Sequence, residues 1–250
     1  MTDRPEFWPI SGINLSVSMI RCYNGMQEVA SASGFFFRHN GTKYLVTNRH
    51  VVVDEDDGYR PDSLTIKLHT SRENPKDNVV IKIALYDKSG QQLWLEHPNQ
   101  AILKCDVVLV PLPEASISSA IMNFMTVDNI PDKSIGIQPF SDVVVVGYPL
   151  GFHDELNNLP IYRQGMIASP YPSMFDDKPY FLIDARLHSG SSGSAVLNSP
   201  HNLLTKGAAG FHSSGAIVFG VFSADFSIDD DPLGLNIVWY SFLLPEIATG

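Results

Sequence analysis

Cysteine is scarce in this chain of 250 residues, which contains only Cys22 and Cys105. Two cysteines form at most one disulfide bond, and this excludes the disulfide-rich scaffolds of small secreted domains. The sequence has no run of about 18 apolar residues, so we expect no membrane-spanning helix. Residues 1–8 do not place a basic segment before an apolar one, so we expect no signal peptide. Together these features predict a cytoplasmic protein.

Positive charge is also in short supply. The chain has 17 lysines and arginines against 27 aspartates and glutamates, which gives a net charge of −10 and a pI near 5.1. This balance excludes a nucleic-acid backbone as a partner and argues against binding to an anionic membrane. Hydrophobic residues make up 44% of the chain and charged residues 18%. That composition is typical of a folded protein with a sizeable core rather than of a disordered chain.

Long amphipathic helical windows are rare, and short β-rich runs separated by turn residues dominate the sequence. The pattern predicts an all-β protein, built as one large domain or as two small barrels. We expect helices only at Ala115–Phe124, as a linker, and at Leu243–Ile247, as a short tail. The predicted strands include Ile13–Arg21, Leu64–Leu68, Val79–Leu85, Tyr180–Ile183, Ala195–Leu197, Ala216–Val221 and Leu235–Phe242.

Two short segments carry the residue types that catalyse acyl transfer. Thr47-Asn48-Arg49-His50 places a histidine directly after a predicted strand, and the segment Gly190–Ala195 contains Ser192 among small residues. A serine hydroxyl is a weak nucleophile until a base removes its proton, and the oxyanion that then forms needs N–H donors. Glycines at 190 and 193 allow a tight turn that exposes such donors. The pair predicts His50 as the general base and Ser192 as the nucleophile.

A carboxylate should orient the imidazole, and Asp106 is the best candidate. It opens the apolar run Asp106–Val110, which is typical of a buried strand, and a charge at that place is costly unless it has a partner. A simple cap at the end of the strand is the competing interpretation. Asp54, Asp56 and Asp57 lie nearer to His50 in sequence, but their acidic, glycine-containing segment predicts a solvated loop.

In the order His50, Asp106, Ser192 the chain resembles the trypsin-like serine proteases of the chymotrypsin fold, and more closely the bacterial branch that includes the HtrA (Deg) proteases. The resemblance extends from about residue 15 to about residue 245 and covers a protease domain only. Further similar segments are Gly34–His50 before the histidine, Val143–Gly151 with its GxPxG-like turn, Arg163–Ser169, Asp184–Ala185 and Gly220–Ala224.

The resemblance implies two six-stranded antiparallel β-barrels with the active site in the cleft between them. We expect an N-terminal barrel at about residues 10–112, a linker at about 113–140 and a C-terminal barrel at about 141–245. It also implies a bacterial serine endopeptidase that needs no cofactor and acts on a protein or peptide substrate. The sequence does not indicate an oligomeric state.

The same resemblance assigns roles to the residues of the site. His50, Asp106 and Ser192 would form the catalytic triad, and the backbone of Gly190, Ser191 and Ser192 would form the oxyanion hole, with Ser191 shaping the loop. Ser223 would support Asp106. Because Ser191 stands where secreted trypsins carry an aspartate, activation by N-terminal cleavage is not expected. The residues expected to bind substrate are Leu187, Phe222, Ser223, Ala224 and Asp225.

Substrate preference depends on Arg186, six residues before Ser192. Proteases that cut after basic residues need a carboxylate at that depth of the pocket, whereas an arginine repels a basic side chain. An apolar lining from Leu187, Phe222 and Ala224 predicts a small or medium apolar side chain, with Arg186 pointing outward. If the guanidinium points inward, an acidic side chain would be accepted instead.

Other functions remain open at this stage. The unusual serine segment and the lack of a recognisable activation device also fit an inactive protease fold that binds extended peptides, and an esterase could use the same triad. The Gly-x-Ser-x-Gly pattern of α/β-hydrolases is not met around Ser192. A metal site is not expected, because the spacing of the histidines at 69, 97, 153, 188, 201 and 212 is not that of metal ligands.

Overall fold

The computed structural model describes residues 10–132, 137–199, 216–229 and 231–250. His201, His212 and residues 1–9, which entered the sequence argument, lie outside these ranges, as does part of the expected linker. In the described part of the chain, no helix combines the length and apolar character needed to cross a membrane.

Twelve strands make up most of the described fold, and three short helices lie between or after them. The strands are β1 Val17–Asn24, β2 Gln27–His39, β3 Thr42–Thr47, β4 Ser63–His69, β5 Asn78–Ala84, β6 Val108–Pro111, β7 Asp142–Gly147, β8 Ile161–Ile167, β9 Tyr180–Ala185, β10 Ala195–Asn198, β11 Val218–Ile228 and β12 Asp231–Tyr240. The helices are α1 Arg49–Val52, α2 Gln100–Leu103 and α3 Leu243–Thr249, with 3₁₀ turns at Val127–Asn129 and Pro149–Gly151.

The strands form two six-stranded antiparallel sheets. The first has the order β5-β4-β1-β2-β3-β6, and the second closes into a barrel in the order β10-β11-β12-β9-β8-β7. A bridge between Leu95 and Leu109 adds a further segment to β6 of the first sheet. The predicted all-β, chymotrypsin-like architecture is therefore confirmed, with the second of the two expected barrels closed and the first seen as a six-stranded sheet.

Side-chain alternation explains why so many strands have continuous apolar runs. In β2, Phe35 and Phe37 pack between the two sheets, whereas Phe36 points into the interior of the first. In β7, Val146 faces the first sheet, whereas Val145 points into the barrel. Since successive side chains point to opposite faces, a strand that is buried on both faces must be apolar throughout. The shared core between the sheets fixes the position of one relative to the other.

The helices differ in part from the prediction. Residues 115–124, expected to be a helical linker, contain turns and no helix. The apolar residues there serve packing, since Ile117 is buried against the first sheet. The predicted tail is helical as α3, and its Leu243, Leu244 and Ile247 join the core between the sheets. Helix α3 thereby contributes to the packing that holds the two sheets, and with them the two halves of the site, together.

Candidate active site

His50 lies in the first turn of α1, immediately after β3 leads the chain out of the first sheet. Asn48, which precedes the turn, is fully buried, and its side-chain amide donates to the backbone carbonyl of Asp106 at 2.6 Å. This bond ties the end of β3 to the start of β6. The sheet thus places His50 and Asp106 side by side, although 56 residues separate them.

The carboxylate of Asp106 accepts three hydrogen bonds. Its Oδ1 atom takes the backbone N–H of His50 at 3.0 Å, and its Oδ2 atom lies 2.7 Å from His50 Nδ1. The hydroxyl of Ser223, on β11 of the barrel, donates to the same Oδ2 at 2.6 Å. With Nδ1–H donating to the carboxylate, the Nε2 atom of His50 carries the lone pair that a general base needs.

The pKa of His50 lies above its ordinary value. Burial opposes the charged imidazolium, but the hydrogen bond and the negative charge of Asp106 outweigh it, and the charge of Asp54 adds to them. Asp54 itself is engaged in a turn, where its Oδ1 accepts from the backbone N–H groups of Asp56 and Asp57. These three aspartates form the solvated loop that was predicted, and among the described residues none of them hydrogen-bonds to the imidazole.

A hydrogen-bond network around Arg49, the residue before His50, also holds this helical turn in place. Arg49 donates to Glu96 through Nε at 3.0 Å and makes a bidentate pair with Glu55. The indole N–H of Trp94 donates to the same Glu96 oxygen at 3.0 Å. Because the neighbouring Leu95 pairs with Leu109 of β6, the ion pair links the turn that carries His50 to the strand that follows Asp106.

The serine loop, defined here as His188–Ser194, is anchored to the first sheet by one residue. Ser33 on β2 donates its N–H to the carbonyl of Ser192 at 2.9 Å and its hydroxyl to the carbonyl of Gly190 at 2.9 Å. The Ser33 hydroxyl in turn accepts from the N–H of Tyr148 at 2.8 Å. Ser33 is completely buried. The loop of the barrel is thus held in register against the sheet that carries His50.

Gly190 and Gly193 both have φ of +84°, a backbone conformation that residues with a Cβ atom rarely adopt. A Cβ on Gly193 would stand 2.1 Å from the carbonyl oxygen of Ser33, and one on Gly190 would stand 2.9 Å from the nitrogen of Leu150. Both glycines are therefore required by the turn and by the close approach of neighbouring backbone.

The turn leaves two backbone donors free. Among the residues that the structure describes, the N–H groups of Gly190 and Ser192 have no acceptor, whereas Ser191 N–H donates to the carbonyl of His188 at 3.1 Å. Ser191 is buried, so its hydroxyl is turned away from the surface, and Ser192 is only partly buried. Free N–H groups in the loop that carries a candidate nucleophile are what an oxyanion hole requires.

The hydroxyl of Ser192 donates to the carbonyl of Ser223 at 3.2 Å. Within the described part of the chain, it makes no hydrogen bond to His50. Asp106 is therefore bonded directly to His50. Ser192 is connected to Asp106 through Ser223, whose hydroxyl donates to Asp106 and whose carbonyl accepts from Ser192. A rotation about the Cα–Cβ bond of the serine redirects its hydroxyl without moving the loop.

The residues expected to bind substrate do not lie together, and one of them, Ser223, bonds to Asp106 and Ser192 as described above. Leu187 and Asp225 line a cavity of about 300 Å³ beside the serine loop, together with Arg186. Phe222 packs inside the barrel instead, and Ala224 is exposed at the edge of β11. The cavity wall is consequently more polar than the predicted apolar lining. No ion pair involving Arg186 occurs among the described residues.

Sequence reasoning missed the residues that hold the site together. Asn48 lies in the histidine segment, so its role had a signal in the sequence, namely an amide beside a buried strand end. Ser33 and Glu96 had none, since each is an ordinary polar residue whose partner is distant in sequence. No cluster of three or more metal-ligating side chains is present in residues 10–132, 137–199, 216–229 and 231–250.

Comparisons with known proteins agree with this geometry. Residues 32–204, more than half of the chain, match the family model described as a trypsin-like peptidase domain. Two solved structures of the HtrA-type protease AlgW with a tripeptide, one of them a serine-to-alanine variant, are similar at TM-scores of 0.54 and 0.52 and identities of 16% and 15%. They match 94% and 96% of this chain, which spans only 60% and 63% of theirs. The chain therefore belongs to the trypsin-like peptidase family and shares its fold with HtrA-type proteases.

Proposed function

We propose that the protein is a serine endopeptidase in which His50, Asp106 and Ser192 form the catalytic triad. The observation that carries the proposal is the contact of 2.7 Å between His50 Nδ1 and Asp106 Oδ2, with Ser223 joining that carboxylate to Ser192. Membership of the trypsin-like peptidase family supports it.

In the proposed reaction, the Ser192 hydroxyl rotates towards His50 Nε2, loses its proton to that atom and attacks the carbonyl carbon of the substrate. The carbonyl oxygen becomes an oxyanion, which the free N–H groups of Gly190 and Ser192 stabilise. His50 then protonates the leaving amine, and water releases the acyl group by the same steps. Asp106 holds the imidazole in the tautomer with Nδ1–H and stabilises the imidazolium.

A second candidate function is peptide binding without turnover. The hydrogen bond from Ser192 to the carbonyl of Ser223 favours this function. A serine bonded in this way, and not to His50, is not activated as a nucleophile. An exposed strand edge at Ala224 and Asp225 could pair with an extended peptide in either case. The two functions differ in whether the peptide is cut.

The decisive test compares neighbouring serines. Hydrolysis of an unfolded protein substrate is measured for the wild type, Ser192→Ala and Ser191→Ala. In a related chemistry, removing the nucleophile costs on the order of 10⁶ in rate, so Ser192→Ala should have no measurable turnover. Ser191→Ala is the matched control and should retain activity. A wild type that binds substrate peptides without cutting them supports the binding function, and equal inactivation of both variants contradicts Ser192 as the nucleophile.

We also propose that the protein works in a reducing compartment, in keeping with a bacterial cytoplasm. Cys22 and Cys105 are free and buried in different places, and burial raises the pKa of their thiols to about 11 and about 12. Neutral, buried thiols pack as small apolar groups rather than react. The proposed partner is a protein or peptide substrate.

A further inference from the structure

The cavity beside the serine loop has a polar floor. Asn236, on β12, is only 2% exposed and lines the cavity of about 300 Å³. Its amide group donates to the carbonyls of Ala185 at 2.7 Å and Ile183 at 3.4 Å, and this fixes which side-chain atom is nitrogen. Its Oδ1 atom has no donor among the described residues and is not one of their fully enclosed unpaired atoms, so it faces the open cavity. A ligand that covers this acceptor without offering it a donor loses free energy.

The position of the cavity links it to the proposed nucleophile. Its walls come from Ala185, Arg186 and Leu187, which lead into the serine loop, and from Asp225, two residues after Ser223. The serine loop and β11 are bonded to each other at Ser192–Ser223 and at Gly193–Phe222. The cavity therefore opens where the two segments diverge from Ser192. A substrate whose carbonyl reaches Ser192 would place the side chain of that same residue in it.

The charges around the cavity lie at its edge rather than at its floor. Asp184, Arg186 and Asp225 are exposed, so solvent screens them, and their opposite signs partly cancel. A charged side chain that reached the floor would leave water without meeting a buried counter-charge, which is unfavourable. An apolar side chain would fill the space but leave Asn236 Oδ1 without a donor.

Resting on the proposed function, we propose that Asn236 is a specificity-determining residue that selects substrates with an uncharged hydrogen-bond donor on the side chain whose carbonyl is attacked. Asparagine, glutamine, serine and threonine carry such a donor. This differs from the apolar preference that the sequence predicts. The difference arises because Phe222 and Ala224, the expected apolar wall, lie elsewhere, and Asn236 takes their place.

The experiment uses pairs of peptides that differ in one side chain of matched shape: Asn against Leu, Thr against Val and Gln against Met. For the wild type, kcat/KM should favour the member with a donor by about 10-fold to 100-fold, because its competitor leaves a buried acceptor unpaired. Equal cleavage of both members, or preference for the apolar one, overturns the proposal. A general preference for Lys and Arg, or for Asp and Glu, overturns it too.

Two variants locate the effect. Asn236→Val should reduce the preference within each pair to about one, and its thermal unfolding is measured because the lost amide also holds two carbonyls. Lys178→Gln, which changes an exposed charge outside the cavity lining, should keep the preference. A loss of the preference in Lys178→Gln, or a retained preference in a folded Asn236→Val, contradicts the assignment to Asn236.

Binding separates this inference from the proposed function. The same peptide pairs are titrated into Ser192→Ala. If the wild type cuts nothing, the endopeptidase proposal fails, and tighter binding of the donor members still supports the role of Asn236. Equal binding of both members overturns that role whether or not the protein is a protease.

Discussion

The two halves of the proposed site differ in how their polar groups are paired. On the first sheet, the carboxylate of Asp106 accepts three hydrogen bonds, and His50 is held by its backbone as well as by its ring. In the serine loop, the N–H groups of Gly190 and Ser192 have no acceptor among the described residues, and Ser192 bonds to the carbonyl of Ser223.

This difference matches the tasks of the two halves. The base must keep one tautomer and one orientation throughout the reaction, so full pairing in the free protein suits it. The oxyanion donors have their partner only when a substrate oxygen becomes charged, so they must be free beforehand and held in place by other contacts. The bonds from Ser33 provide that support. The predictions below test each half by changing one of its groups.

The largest effect on activity is expected from a change to Asp106, on the first sheet. Asp106→Asn should lower kcat by about 10⁴, because an amide cannot reproduce the charge and favours the wrong tautomer of His50. The fold should persist, since the two side chains have the same shape. Steady-state kinetics and thermal unfolding check this. Asp54→Asn is the matched control, since its charge acts on His50 without a hydrogen bond, and it should remain active. Comparable losses in both variants would contradict the special role of Asp106.

The second prediction tests the backbone of the serine loop. Gly193→Ala should destabilise the protein by about 1–3 kcal/mol more than Gly58→Ala and abolish activity, because its Cβ would stand 2.1 Å from the carbonyl oxygen of Ser33. Gly58 also has a positive φ, of +65°, but has nothing within 4 Å of its Cβ position. The free energy of unfolding of each variant is measured by denaturant titration. Equal destabilisation would show that the contact with Ser33 is unimportant.

A smaller effect is expected in the pH dependence. Only neutral His50 can accept the proton of Ser192, so kcat/KM should rise with pH through the pKa of His50, above the ordinary value of about 6.5. Asp54 favours the imidazolium, so Asp54→Asn lowers this pKa and should move the rise to lower pH. The full pH profile of both proteins is the measurement. A shift to higher pH in the variant would contradict the proposed electrostatics.

Much of the fold was predictable because its signals are local. Alternation and turn residues indicate strands, and the apolar runs at Asp106–Val110 and Val143–Val146 mark strands that are buried on both faces. The failure at 115–124 has a physical reason. That segment packs Ile117 against the sheet through turns and not through a helix, and such tertiary packing overrides local propensity.

The site was predictable only in part. His50, Asp106 and Ser192 stand out because their residue types are unusual beside a strand or within a glycine-rich segment. The supports do not stand out, since Ser33 and Glu96 become informative only through partners far away in sequence. Asn236 likewise gives no signal in the sequence. Its Oδ1 atom is left unpaired only because the carbonyls of β9 accept from its amide nitrogen and so orient the side chain. Such contacts belong to tertiary structure, which one sequence does not display.

The central claim, that His50 activates Ser192, is tested most directly by covalent labelling with a fluorophosphonate, which reacts with activated serines. The labelled residue is identified by mass spectrometry, and the labelling rate is measured as a function of pH. We predict one adduct, on Ser192, at a rate that rises with pH through the pKa of His50 and falls sharply in Asp106→Asn. An adduct on Ser191, or no adduct in a protein that still cuts peptides, would contradict the account.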